Sequence, residues 1–363
     1  MEASKEVPRL SSLAHGGGCG CKIAPGVLRE ILRGQHNPLL PPQLLVGLET
    51  SDDAAVWQLN PEQALIATTD FFMPVVDDPR DFGRIAATNA LSDVYAMGGQ
   101  PIFALAIVGM PVNTLPLETI AAILRGGEEV CAQAGIVVAG GHSIDSVEPI
   151  YGLVALGLAH PSRIRRNSQA QHGDFLVLGK PLGVGVYSSA LKKGMLDAAG
   201  YAQMLDSTTR LNTPGPLLAA LDGVHALTDV TGFGLAGHLL EMLRPQQLQA
   251  ELDWHALPWL PQTLPLAQQG CITGASKRNR QSCDSALQLP SALEQELTRD
   301  LLCDPQTSGG LLVACDAQTL PDVQRIFVEQ GFAQASVIGR ICTQTGMQAG
   351  TQTGLQASIR VLP

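Results

Sequence analysis

At 363 residues the chain exceeds the usual size of one compact core, so two domains are expected, and 45% hydrophobic against 4% aromatic residues describes an aliphatic interior ordinary for mixed α and β enzymes. A formal charge of -10, without a long basic run, argues against a nucleic-acid partner, and no apolar stretch approaches the ~20 residues that cross a bilayer. The 8 cysteines are too dilute for a disulfide scaffold and the first residues do not resemble a signal peptide, so the expected compartment is a reducing cytoplasm.

The run His15-Gly16-Gly17-Gly18-Cys19-Gly20-Cys21-Lys22 places two thiols and an ammonium in a backbone almost stripped of side chains. Glycine lets a chain approach a ligand closely. A thiolate beside a lysine is favoured by the neighbouring charge, and Lys22 can meet a phosphate as a point charge. These residues read as a mobile reactive arm. A half zinc site, half of a disulfide and a plain loop are the structural alternatives; the other cysteines, Cys131, Cys271, Cys283, Cys303, Cys315 and Cys342, are scattered singly.

After the arm, apolar spacing predicts a helix over 25–33, then short strands over 44–46, 54–59 and 65–69. A helix over 82–97 is closed by Gly98, Gly99 and Pro101. A strand over 103–108, a helix over 117–134 and strands over 136–139 and 151–158 follow. The polar stretch from Pro161 to Ser168 marks a seam. Beyond it come a strand over 175–178, a Gly-rich turn at 183–185 and helices over 186–193, 202–211 and 234–243. The Pro- and Gln-rich segment 254–280 reads as an irregular excursion. Strands over 335–341 and 356–361 read as a hairpin around a flexible Thr-Gly-x-Gln loop.

Acids recur beside small or hydroxyl residues at strand ends, turns and one helix: Thr50-Ser51-Asp52-Asp53, Thr68-Thr69-Asp70, Asn89-Ala90-Leu91-Ser92-Asp93 and Thr228-Asp229. Carboxylates collected in one place need a positive partner, and hard oxygen ligands suit magnesium on nucleotide phosphates. Such metal ions also let an acidic protein bind an anionic nucleotide. Taken singly, each acid reads equally well as a turn cap or a strand end. Gly140-Gly141-His142-Ser143 follows an apolar strand and reads as a turn whose N–H groups can cradle an anion. Asp304 to Gly310 either lines the same cleft or forms a tight turn.

Taken in order, the arm and the motifs Asp52-Asp53-Ala54-Ala55-Val56, Thr69-Asp70-Phe71-Phe72-Met73-Pro74, Arg84-Ile85-Ala86-Ala87-Thr88-Asn89-Ala90, Ala139-Gly140-Gly141-His142-Ser143-Ile144-Asp145, Thr228-Asp229-Val230-Thr231-Gly232-Phe233-Gly234 and Cys303-Asp304-Pro305-Gln306-Thr307-Ser308-Gly309-Gly310 closely resemble the selenophosphate synthetase family. That family belongs to a superfamily that includes aminoimidazole ribonucleotide synthetase, thiamine-monophosphate kinase and a hydrogenase maturation protein.

The resemblance implies an α+β, mixed α/β fold with two domains, residues 1–159 carrying a flexible arm of about 48 residues and residues 160–363 forming an α+β domain. It implies a transferase that turns ATP, selenide and water into selenophosphate, AMP and orthophosphate. Cys19 would be the reactive residue and Lys22 a catalytic phosphate contact. Thr50, Ser51, Asp52, Asp70, Asp93, Gly141, His142 and Ser143 would line the nucleotide site, with Asp53, Asp93 and Asp229 holding Mg2+. A monovalent cation such as K+, a homodimer that pairs the N-terminal sheets and a selenium-delivery protein complete the expectation. Two other readings compete: another ATP-dependent enzyme of the superfamily, which would not need the thiols, and a non-catalytic zinc- or redox-binding protein built on Cys19 and Cys21.

Overall fold

The computed structural model describes residues 8–23, 27, 30–31, 41–47, 52–343 and 356–363. The first half contains β1 (Leu44–Val46), β2 (Ala55–Asn60), β3 (Gln63–Phe72), α1 (Pro79–Ala96), β4 (Gln100–Met110), α2 (Leu117–Gln133), β5 (Val138–Asp145) and β6 (Ile150–Ala159). The strands form a mixed sheet ordered β1-β2-β3-β6-β4-β5, in which only the β4–β5 pair is parallel. Along β3 the residues Ala64, Ile66, Thr68, Asp70 and Phe72 are buried and those between them are more open. This period of two turns one face toward α1.

Helix α1 begins where the Asp78 carboxylate accepts the Asp81 N–H at 2.9 Å, with Pro79 in the first turn. From Phe82 to Ala96 nearly every residue is buried. A surface helix would show one polar stripe; α1 is instead enclosed by the sheet, by α2 and by the second half of the chain.

The second half contains β7 (Phe175–Leu178), α3 (Val184–Lys192), α4 (Ala198–Thr208), α5 (Gly215–Ala219), β8 (Val224–Asp229), α6 (Gly234–Leu243) and β9 (Gln249–Asp253). Then come α7 (Thr263–Gln268), α8 (Gly274–Cys283), β10 (Leu287–Gln288), α9 (Glu296–Leu302), β11 (Leu311–Cys315), α10 (Leu320–Glu329), β12 (Ser336–Cys342) and β13 (Ser358–Leu362). Its sheet runs β10-β13-β9-β12-β7-β11-β8. One apolar cluster contains Cys19, Phe82 and Leu91 together with Val184, Tyr187 and Met204, so the two halves pack through a shared core.

Several expectations need correction. The strands near the C-terminus do not form a hairpin, because β9 lies between them, antiparallel to β12 and parallel to β13. The expected turn at Gly140 to Ser143 is part of β5, where pairing with β4 draws the backbone out. The excursion 254–280 holds α7 and most of α8, the latter started by Thr273, whose hydroxyl accepts the Ser276 N–H at 3.0 Å. Of the helix expected over 25–33, only Val27, Glu30 and Ile31 are described, and they are helical. The Thr-Gly-x-Gln segment lies outside the described residues as far as Leu355; only its last residues, Gln356 and Ala357, are described.

Candidate active site beneath the N-terminal arm

The arm lies along the seam between the two halves. Gly18 takes a φ of +55° and donates its N–H to Met73 O at 2.9 Å. A Cβ at this position would sit 2.3 Å from Thr307 Oγ1, so only glycine fits. Thr307 Oγ1 accepts the Cys19 N–H at 3.1 Å, tying the arm to the loop before β11. Gly232 admits the arm from the other side, since a Cβ there would lie 2.6 Å from Cys19 O. Arg278 on α8 donates to Gly20 O at 3.0 Å, and Asn279 braces the same wall by donating to Gly232 O at 2.8 Å.

Cys19 is 1% exposed, and its thiol donates to Asn89 Oδ1 at 3.0 Å. Asn89 Nδ2 in turn donates to Asp70 Oδ2 at 2.7 Å. The same Asp70 oxygen meets Lys22 Nζ at 3.1 Å. One carboxylate and one amide thus bind both ends of the Cys19–Lys22 segment. The Cys21 thiol donates to Gly18 O at 2.6 Å, a different acceptor from that of Cys19. His15 pairs with Glu148 at 2.8 Å and so is engaged outside a Cys19–Cys21 cage.

Spacing on α1 explains how the acids are gathered. Asn89, Ser92 and Asp93 stand three and four residues apart and share one helix face. Asp93 Oδ2 accepts from Thr68 Oγ1 on β3 at 2.5 Å. Ser92 Oγ donates to Asp229 Oδ2 at the end of β8, and Asn212 Nδ2 donates to Ser92 Oγ at 2.7 Å. Asp53 Oδ1 accepts from Thr228 Oγ1 at 2.8 Å, whereas its Oδ2 is buried without a hydrogen-bond partner among the described residues. Acids from both halves therefore converge.

Burial first, then Asp229 and Asp93, push the Asp53 carboxyl well above the ordinary carboxylate range. Burial first, then Asp229 and Asp70, do the same to Asp93. Asp229 is also raised by burial, though the Ser92 hydrogen bond and the charges of His238 and Lys22 oppose the shift. Burial works against the Lys22 ammonium, but the Asp70 carboxylate holds its pKa well above the usual value.

The Cys19 thiol differs from the sequence expectation. Burial and then Asp70 raise its pKa well above normal, and the opposing pull of Lys22 is too small to reverse them. In this arrangement Cys19 is a protonated hydrogen-bond donor, not a thiolate.

Among the described residues no three His, Cys, Asp or Glu side chains stand close enough to form a ready metal cage. The chemistry of Asp53, Asp93 and Asp229 nevertheless fits a hard divalent cation: all offer oxygen, they repel one another, and one buried oxygen lacks a partner.

The remaining expected residues divide. Asp52 accepts the Asn167 N–H at 2.8 Å and faces the seam. Thr50 and Ser51 lie outside the described residues. Gly141 belongs to the row Asp70, Leu153, Ala106, Gly141 across the sheet, three strands from Asp70 and hence about 14 Å away. His142 and Ser143 follow it on the same edge strand, so none of the three joins the acid cluster within one chain. Sequence reasoning placed Thr307 and Ser308 in a segment that either lines the cleft or forms a tight turn, and assigned no role to Asn89, Arg278 or Asn279. The spacing from Asn89 to Asp93 carried a signal; α8 carried none, because its contacts with the arm span more than 200 residues.

The family model for the N-terminal domain of AIR synthase related proteins matches residues 51–159, and that for the C-terminal domain matches residues 171–350. A protein named selenide, water dikinase from Burkholderia orbicola (strain MC0-3) is 65% identical over 94% of this chain and 96% of its own. Another of that name from Dechloromonas aromatica (strain RCB) is 62% identical over 93% and 97%. In fold, the chain is similar to the crystal structure of thiamine-monophosphate kinase from Stenotrophomonas maltophilia K279a, with a TM-score of 0.61 at 21% identity, covering 93% of this chain and 96% of that one. With both halves of the AIR synthase related architecture present and relatives of one name matching nearly end to end, the chain belongs to the selenide, water dikinase family.

Proposed function

We propose that the chain converts ATP, selenide and water to selenophosphate, AMP and orthophosphate at the site beneath the arm. The observation that carries this reading is the joint docking of Cys19 and Lys22 on Asn89 and Asp70, beside the carboxylates that converge from both halves. A related ATP-dependent enzyme acting on an organic substrate has no use for a buried thiol at this point.

Phosphoryl transfer depends on alignment and on neutralising charge at oxygen. Asp53, Asp93 and Asp229 would hold Mg2+, which when bound supplies the positive charge that phosphate oxygens require. Lys22 stays charged through its pairing with Asp70 and presents an ammonium to a phosphate oxygen. Asp70 orients both Lys22 and Asn89, while Asn89 aims the Cys19 thiol. Cys19 is the soft group offered to selenium, and the docked arm covers it from bulk water. Thr50, Ser51 and Asp52 complete the nucleotide-binding set in this reading, and K+ is an additional cofactor.

A homodimer suits the outer face of the first sheet. Trp57, Phe71 and Ile144 are 41%, 49% and 57% exposed on that face, which α1 and α2 leave bare. His142 shares it, since its row runs through Ile107 and Gly152 to Phe71. A second copy covering this face brings the β5 edge of one chain against its partner, the arrangement in which Gly141, His142 and Ser143 contribute to a nucleotide site. All 8 cysteines are free thiols, which suits a reducing cytoplasm, and a selenium-delivery protein is a fitting partner for an oxidation-prone substrate. No helix among the described residues is long and apolar enough to cross a membrane.

Phosphorus NMR of the protein with magnesium ATP and selenide under anaerobic reduction tests the reaction. Selenophosphate, AMP and orthophosphate are the expected products, and persistence of ATP or breakdown only to ADP overturns it. Cys19→Ser should abolish selenophosphate formation while magnesium ATP still binds; full turnover in that variant favours the related-enzyme reading.

A further inference from the structure

Lys180, two residues beyond β7, is only 2% exposed and makes no ion pair among the described residues. Burial without an ion-pair partner lowers the Lys180 amine to about 7, with Asp229 opposing, so hydrogen bonds rather than a paired charge hold it in place. They are specific: Nζ donates to Ser308 O at 2.8 Å and to Arg210 O at 2.6 Å.

Ser308 has a φ of +51°, a left-handed conformation unusual for a residue with a side chain. Three contacts hold it there. Its carbonyl accepts from Lys180, its hydroxyl donates to Ile85 O at 3.0 Å, and its N–H donates to Asn89 Oδ1 at 2.8 Å. The last contact decides which way the Asn89 amide faces. With Oδ1 receiving both the Ser308 N–H and the Cys19 thiol, Nδ2 is directed to Asp70; a flipped amide would set its NH2 against two donors.

We infer that Lys180 is a positioning residue of the Cys19 site: it anchors the Ser308 peptide, the Ser308 N–H sets the Asn89 amide, and Asn89 holds the thiol and the carboxylate that pairs with Lys22. Lys180 touches neither Cys19 nor Lys22, so its influence passes through Asn89. The functional consequence rests on the reading of Cys19 as the group that meets selenium.

A double-mutant cycle tests the inference, read by the rate at which iodoacetamide modifies Cys19, resolved from Cys21 by peptide mass spectrometry. Lys180→Met and Asn89→Ala should each speed Cys19 modification about tenfold, the scale of one lost buried hydrogen bond. Cys21 modification should be unchanged, and the double variant should match Asn89→Ala alone within about twofold. In turnover, Lys180→Met should lower kcat about tenfold with little change in the KM for ATP. A wild-type Cys19 rate in Lys180→Met, or effects that multiply in the double variant, overturns the inference. If Lys180→Met does not fold, Lys180→Ala, which leaves room for water at the two carbonyls but removes the anchor, enters the same cycle under the same criteria. Full turnover by Cys19→Ser would remove the catalytic reading of Cys19 while the modification cycle still decides whether Lys180 positions the thiol.

Discussion

Replacing Gly18 with alanine puts the docked arm under a load that can be worked out from its surroundings. At a φ of +55° a residue bearing a Cβ loses about 1–2 kcal/mol relative to a right-handed conformation. The new methyl would lie 2.3 Å from Thr307 Oγ1 and 3.3 Å from Val75 Cγ2, so the threonine hydroxyl must turn away. Turning it gives up the 3.1 Å hydrogen bond from the Cys19 N–H, worth about 1 kcal/mol. An undocked arm bears neither load. The docked state therefore loses roughly 2–3 kcal/mol, a shift of roughly 30- to 150-fold in the docking equilibrium. Iodoacetamide modification of Cys19 reads that equilibrium, because the docked thiol is 1% exposed. Gly18→Ala should accelerate modification by roughly 30- to 150-fold and lower AMP formation. Adding Thr307→Ala removes the clash but also deletes the acceptor of the Cys19 N–H and leaves the backbone strain, so the double variant should stay near the Gly18→Ala rate. A Cys19 rate within about threefold of wild type in Gly18→Ala would refute the reasoning.

Asp53→Asn should weaken magnesium ATP binding by about tenfold or more in titration calorimetry, and should raise the melting temperature of metal-free protein by removing one of three mutually repelling carboxylates; unchanged affinity counts against the metal role. Since burial and like charge raise Asp53, Asp93 and Asp229, the folded metal-free protein binds more protons than the unfolded chain above the ordinary carboxylate range, so this share of stability is present at low pH and is lost as pH rises. The stabilisation conferred by Mg2+ in thermal unfolding should consequently grow from pH 5 to pH 8, and a flat profile would sink the shared site. Asp304, raised to about 7 chiefly by burial, contributes a loss of stability that is complete once the pH passes about 7; Mg2+ should not correct it, and Asp304→Asn should remove it from the melting profile. Phe71→Glu puts a charge at the centre of the bare sheet face and should convert the proposed homodimer to monomer in sedimentation velocity; a dimer that persists would place the interface elsewhere.

Local patterns were legible in the sequence wherever the residues responsible lie close together along the chain. Helix α6 and strand β1 follow directly from short apolar periods. The spacing of Asn89 and Asp93 implies one helix face before any contact is known. The C-terminal strands misled because two strands in succession ordinarily pair, and only the assembled sheet reveals that β9 occupies the place between them. Helix α8 was obscured by its polar composition, since its docking draws on Arg278 and Asn279 instead of an apolar stripe.

The sequence by itself determined the family resemblance, the alternation of strands and helices, and the residue types that phosphate and selenium chemistry require. Only the tertiary structure decided that Asp229 meets Ser92, that Thr307 receives the arm, and that Cys19 rests as a protonated thiol. The physical reason is that periodicity and turn chemistry act over a few residues, whereas burial and charge depend on every neighbour that folding brings near. Lys22 stands three residues from Cys19 in the chain, yet the surrounding desolvation and the carboxylate of Asp70 set the state of that sulfur.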